Sequence, residues 1–144
     1  MRESDSRKKR AHRRYNERFL KYLRLFASIE NNMKLFPREC RTCGRKFGSF
    51  SRYLRYTFIK GHGLEDCSEV MGGPFIMMYR HCSCGNTLVL SLTEETGPML
   101  DGFWSMLEKE AEETGKPFRT VVREFSDQCD DFIISQHYCV PDAD

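Results

Sequence analysis

The sequence lacks the long apolar runs that membrane proteins require. None of its apolar segments approaches the roughly 18–20 residues of a membrane-spanning helix. The first 19 residues are charged and lack the apolar core of a secretory signal, while Glu3, Asp5 and Glu17 count against mitochondrial targeting. We therefore expect a cytoplasmic protein with no membrane span.

The sequence also lacks the short motifs of several enzyme classes. It contains no Gly-x-Gly-x-x-Gly, no Walker loop, no His-Glu-x-x-His and no Cys-x-x-Cys-His for covalent haem. His62, His81 and His137 have no obvious acid–base partners in the sequence. These absences favour a protein that is not an enzyme, and nothing indicates a small-molecule substrate.

Charged residues are numerous, and the two signs are distributed unevenly along the chain. Residues 1–60 carry 18 Lys and Arg against 5 Asp and Glu, whereas residues 61–144 carry 5 against 16. A basic half of this kind suggests a polyanionic partner, either nucleic acid or an acidic protein. Pairing of the basic half with the acidic half, within one chain or between two copies, is an equally weighted explanation.

One long helix is predicted over residues 5–35, which contain no proline or glycine and are followed by Pro37. Its apolar residues recur at heptad-like spacing, which predicts packing. This stripe consists of Tyr15, Phe19, Tyr22, Phe26, Ile29 and Met33, widened by Leu20, Leu23 and Leu25. The stripe could form a coiled coil, giving a homo-oligomer through the N-terminal helix, or it could pack against the acidic half.

A basic cluster precedes this stripe and has no apolar partners of its own. The cluster consists of Arg7, Lys8, Lys9, Arg10, Arg13 and Arg14. It is the part of the helix that we expect to bind a polyanion, by neutralising phosphates or by lying on an anionic membrane surface. A solvated helix end is the alternative.

The remaining pattern predicts an α+β protein with a zinc-ribbon-like β-hairpin centre, a long N-terminal helix and a C-terminal helical hairpin. We divide the chain into a basic amphipathic helix (1–37), a cysteine-containing centre (38–94), an acidic helical hairpin (95–136) and a tail (137–144). Within the centre we expect a helix over 49–59, loops at Gly-His-Gly-Leu-Glu-Asp and Met-Gly-Gly-Pro, and strands over 75–82 and 86–92. Pro98 and Pro117 are expected at first helical positions, and Gly115 at a helix C-terminus.

Seven cysteines in a chain without a signal peptide indicate metal or redox chemistry rather than structural disulfides. Two pairs, each followed by a glycine, have metal-ligand spacing: Cys40 and Cys43 before Gly44, and Cys82 and Cys84 before Gly85. A structural zinc ion takes four such thiolates in a tetrahedron. We therefore predict a Zn²⁺ site formed by the four cysteines, with Cys67 or His81 as substitute ligands. Cys129 is expected in the core.

These two pairs resemble those of the zinc ribbon class, in which two cysteine knuckles on hairpin-like loops hold one zinc ion. The resemblance covers residues 40–44 and 82–85 and the hairpin around the second pair. It implies a structural ion whose four positions are filled, with no place for a substrate or an activated water. A redox pair is disfavoured for Cys40 and Cys43, because a helix closed by Pro37 precedes them rather than a strand.

Aromatic and basic residues alternate between positions 45 and 58. Rings near cationic side chains suit single-stranded nucleic acid, but one helical face would also place Phe47, Phe50, Leu54 and Phe58 in the core. We favour the core assignment, with the arginines as a solvated face.

Three function hypotheses follow from the sequence. The first is a non-enzymatic, zinc-stabilised binding or regulatory protein that contacts nucleic acid, a nucleoprotein machine or an acidic protein through its basic half. The second is a thiol-based redox sensor or oxidoreductase that uses the cysteine pairs. The third is a helix-mediated assembly or adaptor protein with residues 15–33 as its dimer seam.

Overall fold

The structure, a computed structural model, describes residues 15–96 and 100–137. Its helices are α1 (Glu17–Ala27), α2 (Phe50–Arg55), α3 (Ser68–Met71), α4 (Phe103–Thr114) and α5 (Phe118–Gln136). Its strands are β1 (Arg38–Glu39), β2 (Lys46–Phe47), β3 (Thr57–Asp66), β4 (Phe75–Cys82) and β5 (Thr87–Thr93). This mixture of helices and small antiparallel sheets confirms the predicted α+β class. In the described part of the chain, no helix combines the length and apolar character needed to cross a bilayer.

A three-stranded antiparallel sheet with the order β3-β4-β5 forms the centre of the fold. Its β4–β5 hairpin confirms the strands predicted at 75–82 and 86–92, with Phe75 opposite Thr93 and His81 opposite Thr87. Alternate residues of β4 are buried, because successive side chains of a strand point to opposite faces. The inner face thus joins the core, and the outer face is half exposed.

The strand β3 corrects two predictions. The helix expected over 49–59 ends at Arg55, and the residues expected to form a Gly-His-Gly-Leu-Glu-Asp loop lie in β3. Ser49 caps the helix, since its side chain accepts a hydrogen bond from the Arg52 amide. The glycines do mark an irregularity, because the pairing with β4 shifts register between Ile59 and Leu64.

The N-terminal helix is shorter than predicted. Asn16 has an extended backbone and caps α1, and the helix ends at Ala27 instead of continuing to residue 35. Polar side chains past this point bond to the local backbone: the Ser28 hydroxyl donates to Leu25 O, and Asn32 Oδ1 accepts from the Lys34 amide. Such side chains compete with helix formation, which explains the early end.

The apolar stripe of α1 is buried inside the chain. Phe19 and Phe26 both contact the ring of Phe125 in α5, with centroids 5.2 and 5.4 Å apart. Met33, which was expected to extend the stripe, lies beyond the helix and is 91% exposed. These contacts occupy part of the stripe within the chain, and a homo-oligomer through this helix stays a prediction.

The helices α4 and α5 form the predicted C-terminal pair. Gly115 ends α4 in a left-handed conformation, as expected, and Pro117 lies one residue before α5 rather than in its first turn. Pro98 lies outside the described residues. On α5 the apolar face is buried at Val121, Val122, Phe125, Cys129 and Ile133, as expected for Cys129, whereas Phe118 is exposed and Phe132 half-buried. The division of the chain into four segments stays a prediction.

Candidate metal centre

The first cysteine pair lies in the loop between β1 and β2, residues 40–44, which we call the first knuckle. The two short strands pair antiparallel and fix the ends of the loop. Within it, the Cys40 amide donates to Arg45 O and the Gly44 amide donates to Cys40 O, both at 2.8 Å. Gly44 has a φ of 79°, a left-handed conformation that glycine adopts without strain. The backbone thus folds back toward Cys40.

The second pair lies in the turn between β4 and β5, residues 82–85, which we call the second knuckle. The Cys82 amide donates to Asn86 O and the Gly85 amide donates to Cys82 O, again both at 2.8 Å. Gly85 also has a positive φ, of 95°. This loop is one residue shorter than the first knuckle and still repeats its hydrogen-bond pattern. The Cys-x-Cys spacing is therefore compatible with a knuckle.

The two knuckles bring four sulfur atoms together. The Sγ atoms of Cys40, Cys43, Cys82 and Cys84 all lie within 4.8 Å of one another. The Cys40–Cys84 and Cys43–Cys82 sulfur pairs are each 3.6 Å apart. Zn–S bonds of about 2.3 Å imply sulfur separations of about 3.8 Å in a tetrahedron. Since a disulfide requires about 2.05 Å, these thiols are free and spaced as tetrahedral ligands.

Hydrogen bonds prepare the Cys40 sulfur to bind a cation. Hydrogen bonds, of which that from the Cys43 backbone amide has the largest effect, lower the pKa of Cys40 to about 6 against the opposing effect of burial. Further donors are the Asn86 side chain, whose Nδ2 lies 3.6 Å from the sulfur, and the Thr42 backbone. A metal ligand must be a thiolate, so donors aimed at the sulfur favour the binding form.

The neighbouring thiols disfavour a second thiolate in the sulfur cluster. At Cys84 the Asn86 amide lowers the pKa, but desolvation and the thiols of Cys40, Cys82 and Cys43 outweigh it and raise the pKa to about 11. Adjacent thiolates repel one another in the absence of a cation. A divalent ion among the four sulfurs would remove this repulsion, so the donor set fits a metal.

Neither substitute ligand belongs to the sulfur cluster. The Cys67 thiol donates to Glu65 Oε1 at 3.5 Å, and its pKa is raised, chiefly by desolvation. His81 lies on the outer face of β4, opposite Phe58, whereas Cys82 lies on the inner face. The basic cluster at residues 7–14 and Cys139 lie outside the described residues.

A buried ion pair lies behind the second knuckle, and the sequence analysis did not single it out. Arg80 precedes Cys82 by two residues, is 2% exposed, and binds both carboxylate oxygens of Asp130 in α5 at 3.0 and 2.9 Å. Its Nε donates to Thr57 Oγ1 at 2.5 Å, and its Nη2 donates to the carbonyls of Leu54 and Thr57 at 3.0 Å. This one guanidinium joins β4 to α2, β3 and α5, and thereby anchors the strand that ends at the knuckle.

Comparison of the chain with protein-family models, with curated proteins and with solved structures gives no match.

Proposed function

We propose that this protein is a zinc-stabilised binding protein, and that Cys40, Cys43, Cys82 and Cys84 hold one structural Zn²⁺ ion. The observation that supports it is the closeness of four sulfur atoms from two knuckles with matching backbone hydrogen bonds. Such an ion contributes on the order of 10 kcal/mol to folding in small metal-binding domains. Here it would fix the β1–β2 loop to the tip of the β4–β5 hairpin.

The donor set favours a structural ion over a catalytic one. Four thiolates fill a tetrahedral coordination sphere and leave no position for substrate or water. The protein would act through the surface that the ion holds in shape, as a non-enzymatic binding or regulatory module.

We propose nucleic acid as the partner, and the charge distribution supports a polyanion. Residues 38–60, which contain the first knuckle, carry seven Lys and Arg against one acidic residue, Glu39. The acidic residues lie mainly in the second half, and α4 uses some of them internally, because Arg18 pairs with Glu110 and Glu113. The exposed basic side chains of residues 38–60, which are Arg41, Arg45, Lys46 and Lys60, are suited to phosphate groups.

Salt-dependent binding tests this function. Fluorescence anisotropy with labelled DNA and RNA should show binding by the zinc-loaded protein that weakens steeply between about 50 and 200 mM salt. Replacing the six basic residues at positions 7–14 with glutamine should weaken binding, whereas Lys109→Gln, Lys116→Gln and Arg119→Gln in the acidic half should not. Absence of binding to DNA and RNA at low salt would contradict a nucleic-acid partner and leave an acidic protein.

A thiol redox role is the second candidate, and the lowered pKa of Cys40 favours it. Cys40 is 0% exposed, however, and a buried thiolate is poorly placed to meet an external thiol or oxidant. Metal-free protein with a titratable disulfide between Cys40 and Cys84 would support this candidate over zinc.

A further inference from the structure

The outer face of the three-stranded sheet combines aromatic, basic and polar side chains. Phe58 of β3 lies opposite His81 of β4, which in turn lies opposite Thr87 of β5. Lys60 follows Phe58 by two residues, and its Nζ donates to Thr87 Oγ1 at 3.1 Å. These four residues form one surface, which we call the outer sheet face, and the Lys60 ammonium bonds across it from β3 to β5.

Phe58 was expected in the core, and the structure places it at the surface. Its side chain is 62% exposed, whereas Phe47, Phe50 and Leu54 are buried as predicted. The helical face that would have buried Phe58 does not exist, because α2 ends at Arg55 and Phe58 belongs to a strand. The exposed Phe58 ring and the Lys60 ammonium therefore belong to the same face of the sheet.

The residues that follow the first knuckle add cationic groups at the same end of the sheet. Thr57 at the start of β3 pairs with Cys82, so the outer sheet face begins beside the metal centre. The residue before it, Tyr56, carries the guanidinium of Arg45 over its ring at 4.3 Å. Arg45 and its neighbour Lys46 are exposed. Aromatic rings and basic groups are thus combined near the four cysteines.

The far end of the sheet has the opposite charge. Glu65 and Asp66 end β3, and Tyr79 donates to Glu65 Oε1 at 2.5 Å, which ties that ring to a carboxylate. A polyanion would be repelled there and attracted to the knuckle end. The charge distribution along the sheet therefore favours the knuckle end, where Phe58 lies, as the place for a polyanion.

We propose that the outer sheet face, together with Arg45 and Lys46 at the adjoining metal centre, binds single-stranded nucleic acid, with a base stacked on Phe58 and phosphates paired with Lys60, Arg45 and Lys46. Every base has a flat face that an exposed ring can stack on, but only unpaired bases offer it, so a single strand is favoured over a duplex. An acidic protein would satisfy the charges and leave the ring without a specific role. The inference rests on the proposed nucleic-acid function and assigns to it a surface and a strandedness.

Variants of one position test the stacking role. Anisotropy is measured with fluorescein-labelled single strands of about 20 nucleotides, oligo(dT) and oligo(rU), and with a duplex of equal length. Phe58→Leu should raise the Kd for the single strands by about five-fold or more, and Phe58→Tyr should not, because only tyrosine keeps the ring. Val70→Ala, at an 87% exposed apolar residue of α3, is the matched surface control and should change nothing.

A charge variant tests the phosphate contacts independently. Lys60→Gln should reduce the slope of log K against log salt concentration by about 0.7, the value for one phosphate contact on a single strand. Thermal unfolding of each variant checks that the fold is unchanged, which is expected for exposed side chains.

The outcomes separate this inference from the proposed function. Single-strand binding that is unchanged in Phe58→Leu and Lys60→Gln overturns the outer sheet face as the site and leaves nucleic-acid binding standing. A duplex bound more tightly than either single strand also overturns it. If the wild-type protein binds none of the three probes at about 50 mM salt, the proposed nucleic-acid function fails, and this inference fails with it.

Discussion

Replacing Arg80 with methionine should destabilise the fold strongly, because it removes five hydrogen bonds from a buried position. Two of these bonds go to Asp130, two to Thr57 and one to the Leu54 carbonyl, and Arg80 itself is 2% exposed. Breaking a buried ion pair by removing one partner typically costs about 3–5 kcal/mol, since the remaining charge is left uncompensated. For a domain of this size the melting temperature should fall by roughly 10 °C or more.

The loss of stability in the Arg80→Met variant should also depend on pH. Desolvation raises the pKa of Asp130 in the folded protein, and Arg80 opposes this effect. Without Arg80 the pKa of Asp130 should rise further, so the folded variant binds a proton at pH values where the unfolded chain does not. Stability then decreases as pH rises through that interval. The difference between wild type and variant should therefore be larger at about pH 7.5 than at about pH 5.

Urea unfolding of the zinc-loaded proteins, followed by circular dichroism at both pH values, measures this effect. Lys116→Met is the matched control, because it removes an ion pair to Glu124 in which both side chains are partly exposed. We expect the control to unfold as the wild type does. If Arg80→Met stays within about 1 kcal/mol of wild type, the ion pair does not anchor β4 as described.

Two further substitutions have matched controls. A Cβ at Gly63 would lie 2.5 Å from Ser126 Oγ, whereas one at Gly61 would meet nothing within 4 Å, and both glycines have positive φ. Urea unfolding should therefore show Gly63→Ala to be less stable than Gly61→Ala by about 1–3 kcal/mol. Equal stability of the two variants would contradict the close contact between β3 and α5. Cys84→Ser should lose metal and cooperative unfolding together, while Cys67→Ser should keep both, because of these two residues only Cys84 belongs to the sulfur cluster. Metal content and thermal unfolding of the two variants measure this difference. A zinc-loaded, cooperatively folded Cys84→Ser protein would exclude Cys84 as a ligand.

Local patterns were sufficient for the elements whose signals lie close together in sequence. The β4–β5 hairpin follows from two apolar runs around a Cys-Ser-Cys-Gly turn, and the C-terminal helices follow from a 3.6-residue period with glycine between them. Knuckle spacing, a local signal, identified each cysteine pair, and the four ligands that a tetrahedral ion requires joined the two pairs into the cluster that the structure shows.

Features that depend on distant residues could not be predicted in this way. The strand β3 forms because β4 provides its partner, and its glycines suggested a loop when taken alone. Arg80 and Asp130 are 50 positions apart, so no local pattern joins them. The long helix was overextended because a continuous apolar spacing outweighed the weak local signals of Ser28 and Asn32.

The metal content of purified protein tests the central claim most directly. Elemental analysis by mass spectrometry should find one zinc per chain. Removal of the zinc by a chelator should detach the β1–β2 loop from the β4–β5 hairpin and unfold this part of the protein. Iron in place of zinc would keep the four-cysteine site and change its ion. A metal-free, stably folded wild-type protein would contradict the account.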